Sequence, residues 1–371
     1  MLTKIRKHPL FWNVLGSLVA AALIAAGSFL HSTSRIALWV GLSVFVTALL
    51  ITSYLARNRR HRVFILVSAF HKKQFFADVT KHALDRLATR QLEGVLKLPA
   101  TDYSLADQDR HFSEILKRKG DYVGGIVVPI EPAATGAQIQ RFILEFGKPI
   151  VFLDTAPFSA EAEYPLTTCF VGFDNHAGGR KAAQALVHVL RDRSLASPRV
   201  LVIGSNVQTA RQEEFRNHLM TAFPLARVVV DQNGYFLRDK ARTLATHYFR
   251  EARDHGKCYD AVFCTNDEMA LGVIEALQTL PPKIAKQIFV VGYDAVQEAV
   301  KAIEGGNSPL KNSVVQDTRE MAERAVDLLA IMLEGGTTTV PRVTLLDPGL
   351  CKPLDESLVG MPRPLRPTGH P

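Results

Sequence analysis

Residues 11–30 (FWNVLGSLVAAALIAAGSFL) and 36–55 (IALWVGLSVFVTALLITSYL) carry no charged side chain. Each run holds 20 residues. At about 1.5 Å rise per residue, such a helix spans roughly 30 Å, the thickness of a bilayer's hydrocarbon core. Trp12, Trp39 and Tyr54 lie near the ends of these runs, where amphipathic rings favour the headgroup level. A cleaved signal peptide would have a shorter apolar run and no second run directly after it. A buried hairpin would be unusual in a soluble core, because two uncharged 20-mers are separated only by HSTSR. The pattern predicts a transmembrane helical hairpin within residues 1–61.

Lys4, Arg6 and Lys7 precede the first run, and Arg57, Arg59, Arg60 and Arg62 follow the second, while the connecting loop carries only Arg35. Cations are retained on the cytoplasmic side, so both outer ends read as cytoplasmic. The formal net charge is +8, and part of it lies in these flanks and in a tail containing Arg363 and Arg366. Anionic lipid is the simplest partner for such charge. No basic stretch interleaved with aromatics and no zinc-finger spacing is present, which argues against nucleic acid. The four cysteines (Cys169, Cys258, Cys264, Cys351) fit no metal-ligand spacing and read as small apolar core residues.

From residue 62 onward, short β-rich runs alternate with amphipathic stretches. The runs are 63–69, 122–128, 149–155, 199–205, 227–232, 261–267 and 288–294. Strands nearly continuous in Val, Ile and Leu belong to parallel sheets covered on both faces. Their alternation with helices gives repeated βαβ units, and so long an α/β stretch calls for two lobes. Residues 346–371 are proline-rich and read as a loosely attached tail. The sequence contains no Walker loop, GxSxG, HExxH or CxxC, and no Asp–His arrangement pairs a base with an orienting partner. Neither catalysis nor a cofactor or metal is indicated.

Open parallel sheets bind ligands beyond the carboxyl ends of their strands. Asp154, Asn266, Asp267 and Asp294 fall at predicted strand ends; Arg211 opens a helix after VIGSN, and Gln316 follows NSVV. Phe75 and Phe76 follow the first strand, and Phe236 follows VVVDQNGY. Each has an ordinary explanation: Asp or Asn before a helix is usually an N-cap, and Phe at a helix start is usually core. Together they supply acceptors, a forked donor, amides and apolar rings, the complement that a polyhydroxylated ligand requires.

AVFCTNDEMALGVIEAL (261–277), VVGYDAVQEAVKAI (290–303), PIVFLDT (149–155), FVGFDNHAGGRKAA (170–183) and SVVQDTREMAERAV (313–326) resemble, in order, blocks of the type I periplasmic binding proteins and the related lac-repressor effector domains. The closest likeness is to ribose-binding protein. The resemblance implies a two-lobed α/β fold over 62–345 with a hinge. Lobe 1 would comprise 62–173 and 317–345, and lobe 2 would comprise 174–316. It implies that Phe75 and Phe76 stack on one sugar face and Phe236 on the other. Asp154 and Asp294 would accept from hydroxyls, Arg211 would donate, and Asn266 and Gln316 would bridge the remaining hydroxyls. Thr155 stands where the family often has Arg, and the loop His71–Gln74 is one residue longer than usual, so His71 or Lys72 is a candidate substitute donor.

Three readings follow. One is a receptor on the bacterial inner membrane that binds a small sugar for an ABC permease. Another is a cytoplasmic-side sensor relaying binding to a membrane signalling or regulatory partner. The third is a scaffold that retained the fold without the ligand. No helix-turn-helix precedes the domain. Fusions at the C-terminus test the charge pattern: it predicts fluorescent green fluorescent protein and inactive alkaline phosphatase. An active phosphatase would place the domain outside the cytoplasm instead.

Overall fold

The computed structural model describes residues 39–50, 61–70, 74–193 and 195–352. The chain divides into two units, Met1–Arg60 and His61–Pro371. In the first, residues 39–50 are helical and almost all exposed. Among the described residues no helix is long and apolar enough to cross a membrane. The expected span 11–30 and the outer parts of 36–55 lie outside the described residues.

The second unit holds two six-stranded sheets. In the first, β1 (His61–Leu66), β2 (Leu92–Lys97), β3 (Tyr122–Val127), β4 (Ile150–Leu153), β5 (Thr168–Phe173) and β11 (Val343–Leu346) lie in the order β11-β5-β4-β3-β1-β2. In the second, β6 (Arg199–Ile203), β7 (Arg227–Asp231), β8 (Ala261–Cys264), β9 (Phe289–Asp294), β10 (Leu310–Val315) and β12 (Gly349–Leu350) lie in the order β12-β10-β9-β8-β6-β7. Between these named strands every pairing is parallel except β10 with β12.

Alternation along the strands explains the continuous apolar runs. Val63 and Ile65 pack with Phe75, Phe76, Val326 and Leu329 on one face of the first sheet. Phe64 and Leu66 point the other way, into a cluster with Phe112, Phe142 and Phe146. Successive strand residues face opposite sides, so a sheet covered by helices on both faces has no polar positions left along its central strands. The second sheet repeats the arrangement: Leu201 and Ile203 face one cluster, and Val200 and Val202 the other.

The covering helices are α1 (Gln74–Thr89), α2 (Leu105–Lys117), α3 (Pro132–Phe146) and α10 (Thr318–Leu333) on the first lobe. On the second they are α4 (Asn175–Arg191), α5 (Ala210–Ala222), α6 (Arg238–Asp254), α7 (Asp267–Leu277), α8 (Pro282–Ala285) and α9 (Gln297–Glu304). The chain passes between sheets three times, after β5, β10 and β11. Aspartates mark two of these passages. Asp174 Oδ1 accepts from the His176 and Ala177 N–H groups at 2.9 and 3.0 Å, and Asp317 Oδ1 from those of Arg319 and Glu320 at 3.0 Å. Each cap satisfies the free amides of a helix that starts as the chain enters the other lobe. At the third passage, the Asp174 N–H donates to Leu346 O at 2.9 Å and Lys181 Nζ bonds Asp347 Oδ2 at 2.8 Å. Of the stretch from 346 onward, residues 349–352 are tied to the second sheet: β12 pairs with β10, and Lys352 N donates to Asn312 Oδ1 at 3.1 Å.

Close helix contact requires glycine at one position in particular. A Cβ at Gly272 in α7 would lie 2.2 Å from Arg238 O at the start of α6. Gly272→Ala is expected to lower stability by about 1–3 kcal/mol through forced separation of the two helices, measurable as a lower Tm.

Candidate ligand-binding cleft

Loops at the carboxyl ends of strands from both sheets enclose a cavity of ≈ 200 Å³. That is smaller than the roughly 300–1,000 Å³ of sites for drug-sized ligands. All eight residues to which the resemblance assigned a ligand role line it: Phe75, Phe76, Asp154, Arg211, Phe236, Asn266, Asp294 and Gln316.

Arg211 is the most firmly held. Only 3% exposed, it donates through Nε to Asn175 Oδ1 at 2.8 Å and through Nη1 to Thr265 O at 3.0 Å. Its guanidinium lies over the Tyr293 ring, 4.0 Å from the centroid, a favourable cation–π geometry. Asp294 Oδ1 stands 3.8 Å from Nη1. The Gln316 amide, oriented to satisfy both neighbours, donates to Asp294 Oδ1 at 3.0 Å and accepts from Arg211 Nη2 at 3.3 Å.

Asp154, from the first lobe, accepts at Oδ2 from Thr155 Oγ1 at 3.1 Å and from Gln208 Nε2 of the second lobe at 3.2 Å. Burial pushes its carboxyl above the ordinary carboxylate range, and the Arg211 charge opposes that shift. Tyr103 is pushed up as well, first by burial and then by Asp154, Asp294 and Asp102. Asn266 has two roles: it lines the cavity, and its Oδ1 caps α7 through Met269 N at 3.0 Å while Nδ2 donates to Phe236 O at 3.3 Å. Phe75 and Phe76 belong to the first lobe's core and pack edge to face at 5.3 Å, so they are both core and wall.

The Phe236 and Tyr103 rings meet across the cleft, with centroids 6.5 Å apart. Tyr103, Asp102 and Gln208 were not among the sequence candidates, yet all three line the cavity. Their signal was positional: Asp102 and Tyr103 follow β2, and Gln208 sits in the loop between β6 and α5. His71 and Lys72 lie outside the described residues.

Backbone conformation concentrates at the same place. Among the described residues, nine non-glycine residues have positive φ, and seven of them (Tyr103, Glu131, Asp154, Gln208, Tyr235, Phe236, Asp294) line the cavity. Such conformations cost of order 1–3 kcal/mol each and persist where surrounding structure enforces them, commonly at ligand sites.

Residues 64–337 match the periplasmic binding protein domain, and the chain belongs to that family. Among curated relatives it is 29% identical over 154 residues to the galactofuranose-binding protein YtfQ of Escherichia coli (strain K12), covering 40% of this chain and 47% of that one. It is also 29% identical over 178 residues to the HTH-type transcriptional regulator CelR of Thermobifida fusca, covering 47% and 48%. The chain thus spans about half the length of these relatives. A periplasmic solute-binding protein from Actinobacillus succinogenes 130z, solved with bound D-allose, shares the fold with a TM-score of 0.68 at 19% identity, over 78% of this chain and 96% of that one.

Asp267, next to Asn266, is turned away from the cavity. It accepts from Ser313 Oγ at 2.7 Å and Val296 N at 2.9 Å, and burial pushes it up to about 7 from the ordinary 3.8. Between these values the folded protein holds a proton that the unfolded chain has released, so stability falls as pH rises from about 4 to about 7 and levels off above. Asp267→Asn is expected to flatten that slope in melts taken from pH 4.5 to 8.

Proposed function

We propose that this protein is a membrane-tethered receptor that binds one small carbohydrate or polyol between its lobes. The observation that carries the reading is the convergence, in one small cavity, of four carboxylates (Asp102, Glu131, Asp154 and Asp294), a fixed guanidinium, amides and aromatic rings contributed by both lobes. Carboxylates accept from hydroxyls, the guanidinium donates in a fork, and the rings cover C–H faces. A ligand touching both lobes favours the closed form by its differential affinity for that form. The galactofuranose-binding relative and the D-allose-bound structure support a carbohydrate. The inventory suits binding rather than catalysis, since the acids are held by Arg211, Gln316, Thr155 and Gln208 rather than poised beside a nucleophile.

Tethering rests on the charge-free runs 11–30 and 36–55, which suit an inner-membrane hairpin. With the domain outside the cytoplasm, the receptor would serve an ABC permease. The cations flanking both runs favour the second reading, a cytoplasmic-side sensor acting on a membrane or regulatory partner.

A thermal-shift panel of pentoses, hexoses and cyclitols on the full chain in detergent is expected to give at least one stabilising ligand, since binding stabilises by RT ln(1 + [L]/Kd). For that ligand, calorimetry should show Asp294→Asn and Asn266→Ala each weakening binding ten- to hundred-fold, the equivalent of about 1.5–3 kcal/mol per lost hydrogen bond to a charged or buried group. Unchanged affinity in both variants would remove the site assignment.

A further inference from the structure

Gln208 and Asp154 come from different lobes, on the loop after β6 and at the end of β4. Both hold positive φ, 58° for Gln208 and 61° for Asp154. Their side chains nevertheless meet: Gln208 Nε2 lies 3.2 Å from Asp154 Oδ2 and 3.4 Å from Thr155 Oγ1, while Thr155 Oγ1 donates to the same Oδ2 at 3.1 Å. The Gln208 amide must present its NH2 here, because an ionised carboxylate only accepts. A carboxylate oxygen offers about two lone-pair sites, and Oδ2 already receives two donors. Oδ1 accepts no hydrogen bond from the described residues and remains for the cavity.

We propose, building on the receptor reading, that Gln208 is a specificity-determining positioning residue. It bonds one oxygen of Asp154 across the cleft, holds the lobes in the closed arrangement, and leaves only Oδ1 to engage the ligand. Two consequences follow. The closed form has a polar contact of its own, independent of any ligand, so apparent affinity depends on how much of the free protein already holds that contact. Asp154 meets the ligand through a single oxygen and therefore reads one hydroxyl rather than gripping a vicinal pair through both. Thr155 supports this geometry. It is short enough to share Oδ2 with Gln208, whereas a long cation in its place would compete for the same oxygen.

The test uses the full chain in detergent with spin labels on Cys258 and on Lys81→Cys, exposed positions in different lobes, in a Cys351→Ser background. Without ligand, the parent is expected to show a dominant short interlobe distance. Gln208→Ala should move the population to longer distances, and Gln208→Glu, which faces one carboxylate with another, should move it further. With the best ligand from the panel, Gln208→Ala should weaken binding by about tenfold. In an Asp154→Ala background, which removes the acceptor, it should weaken binding by less than about twofold, since the two residues act through one bond. Unaltered distances in both Gln208 variants, or a full tenfold loss from Gln208→Ala in the Asp154→Ala background, would overturn the assignment. If no panel member binds the parent, the receptor reading fails, while the distance measurements still decide the role of Gln208 in holding the lobes together.

Discussion

A guanidinium taken out of water is tolerated only if its donors find acceptors, and Arg211 meets that demand with groups spread along the second lobe. Its anchors include Asn175, next to the capping Asp174, and Gln316, next to the capping Asp317. These are two of the three places where the chain passes between lobes. The charge that lines the cavity is therefore tied to the segments that connect the lobes. The passages and the cavity wall share side chains, so a group that pulls on Arg211 also bears on the passages between lobes.

Much of the architecture was legible because the central strands must be apolar on both faces. The runs around Val63–Leu66, Val200–Ile203 and Val290–Val291 could not fit an exposed sheet. Other strands gave weaker signals. β2 is an edge strand whose residues are all only partly buried, and it reads LEGVLK, without a continuous apolar run. β10 places Asn312 and Ser313 inside, where Asn312 bonds Lys352 and Ser313 bonds Asp267. These polar positions are explained only by partners about 40 residues away. β12 has just two residues and depends on β10 for its pairing.

The cleft was legible to the same degree and for the same reason. Strand ends recognised in the sequence delivered Asp154, Asn266 and Asp294, whereas the unrecognised β2 concealed Asp102 and Tyr103. Gln208 was missed for another cause: the role of a loop amide depends on what the opposite lobe presents to it. Adjacent residues also diverge. Asn266 lines the cavity, while Asp267 turns into the protein to fasten Ser313 and Val296. Sequence position locates both at one strand end, and only the path of the neighbouring chain separates their duties.

The left-handed residues around the cavity bear on how its lining could change over evolutionary time. At Tyr103, Glu131, Asp154, Gln208, Tyr235, Phe236 and Asp294, a β-branched replacement would oppose the local backbone. Asn, Asp and Gly fit it best, so the accessible variants at these places are mostly small and polar. Thr155 carries no such backbone demand, and neither do Phe75 and Phe76, where packing in the first lobe's core sets the limit instead. Drift in the lining would then begin at Thr155, with the loop residues following only where the left-handed turn admits them.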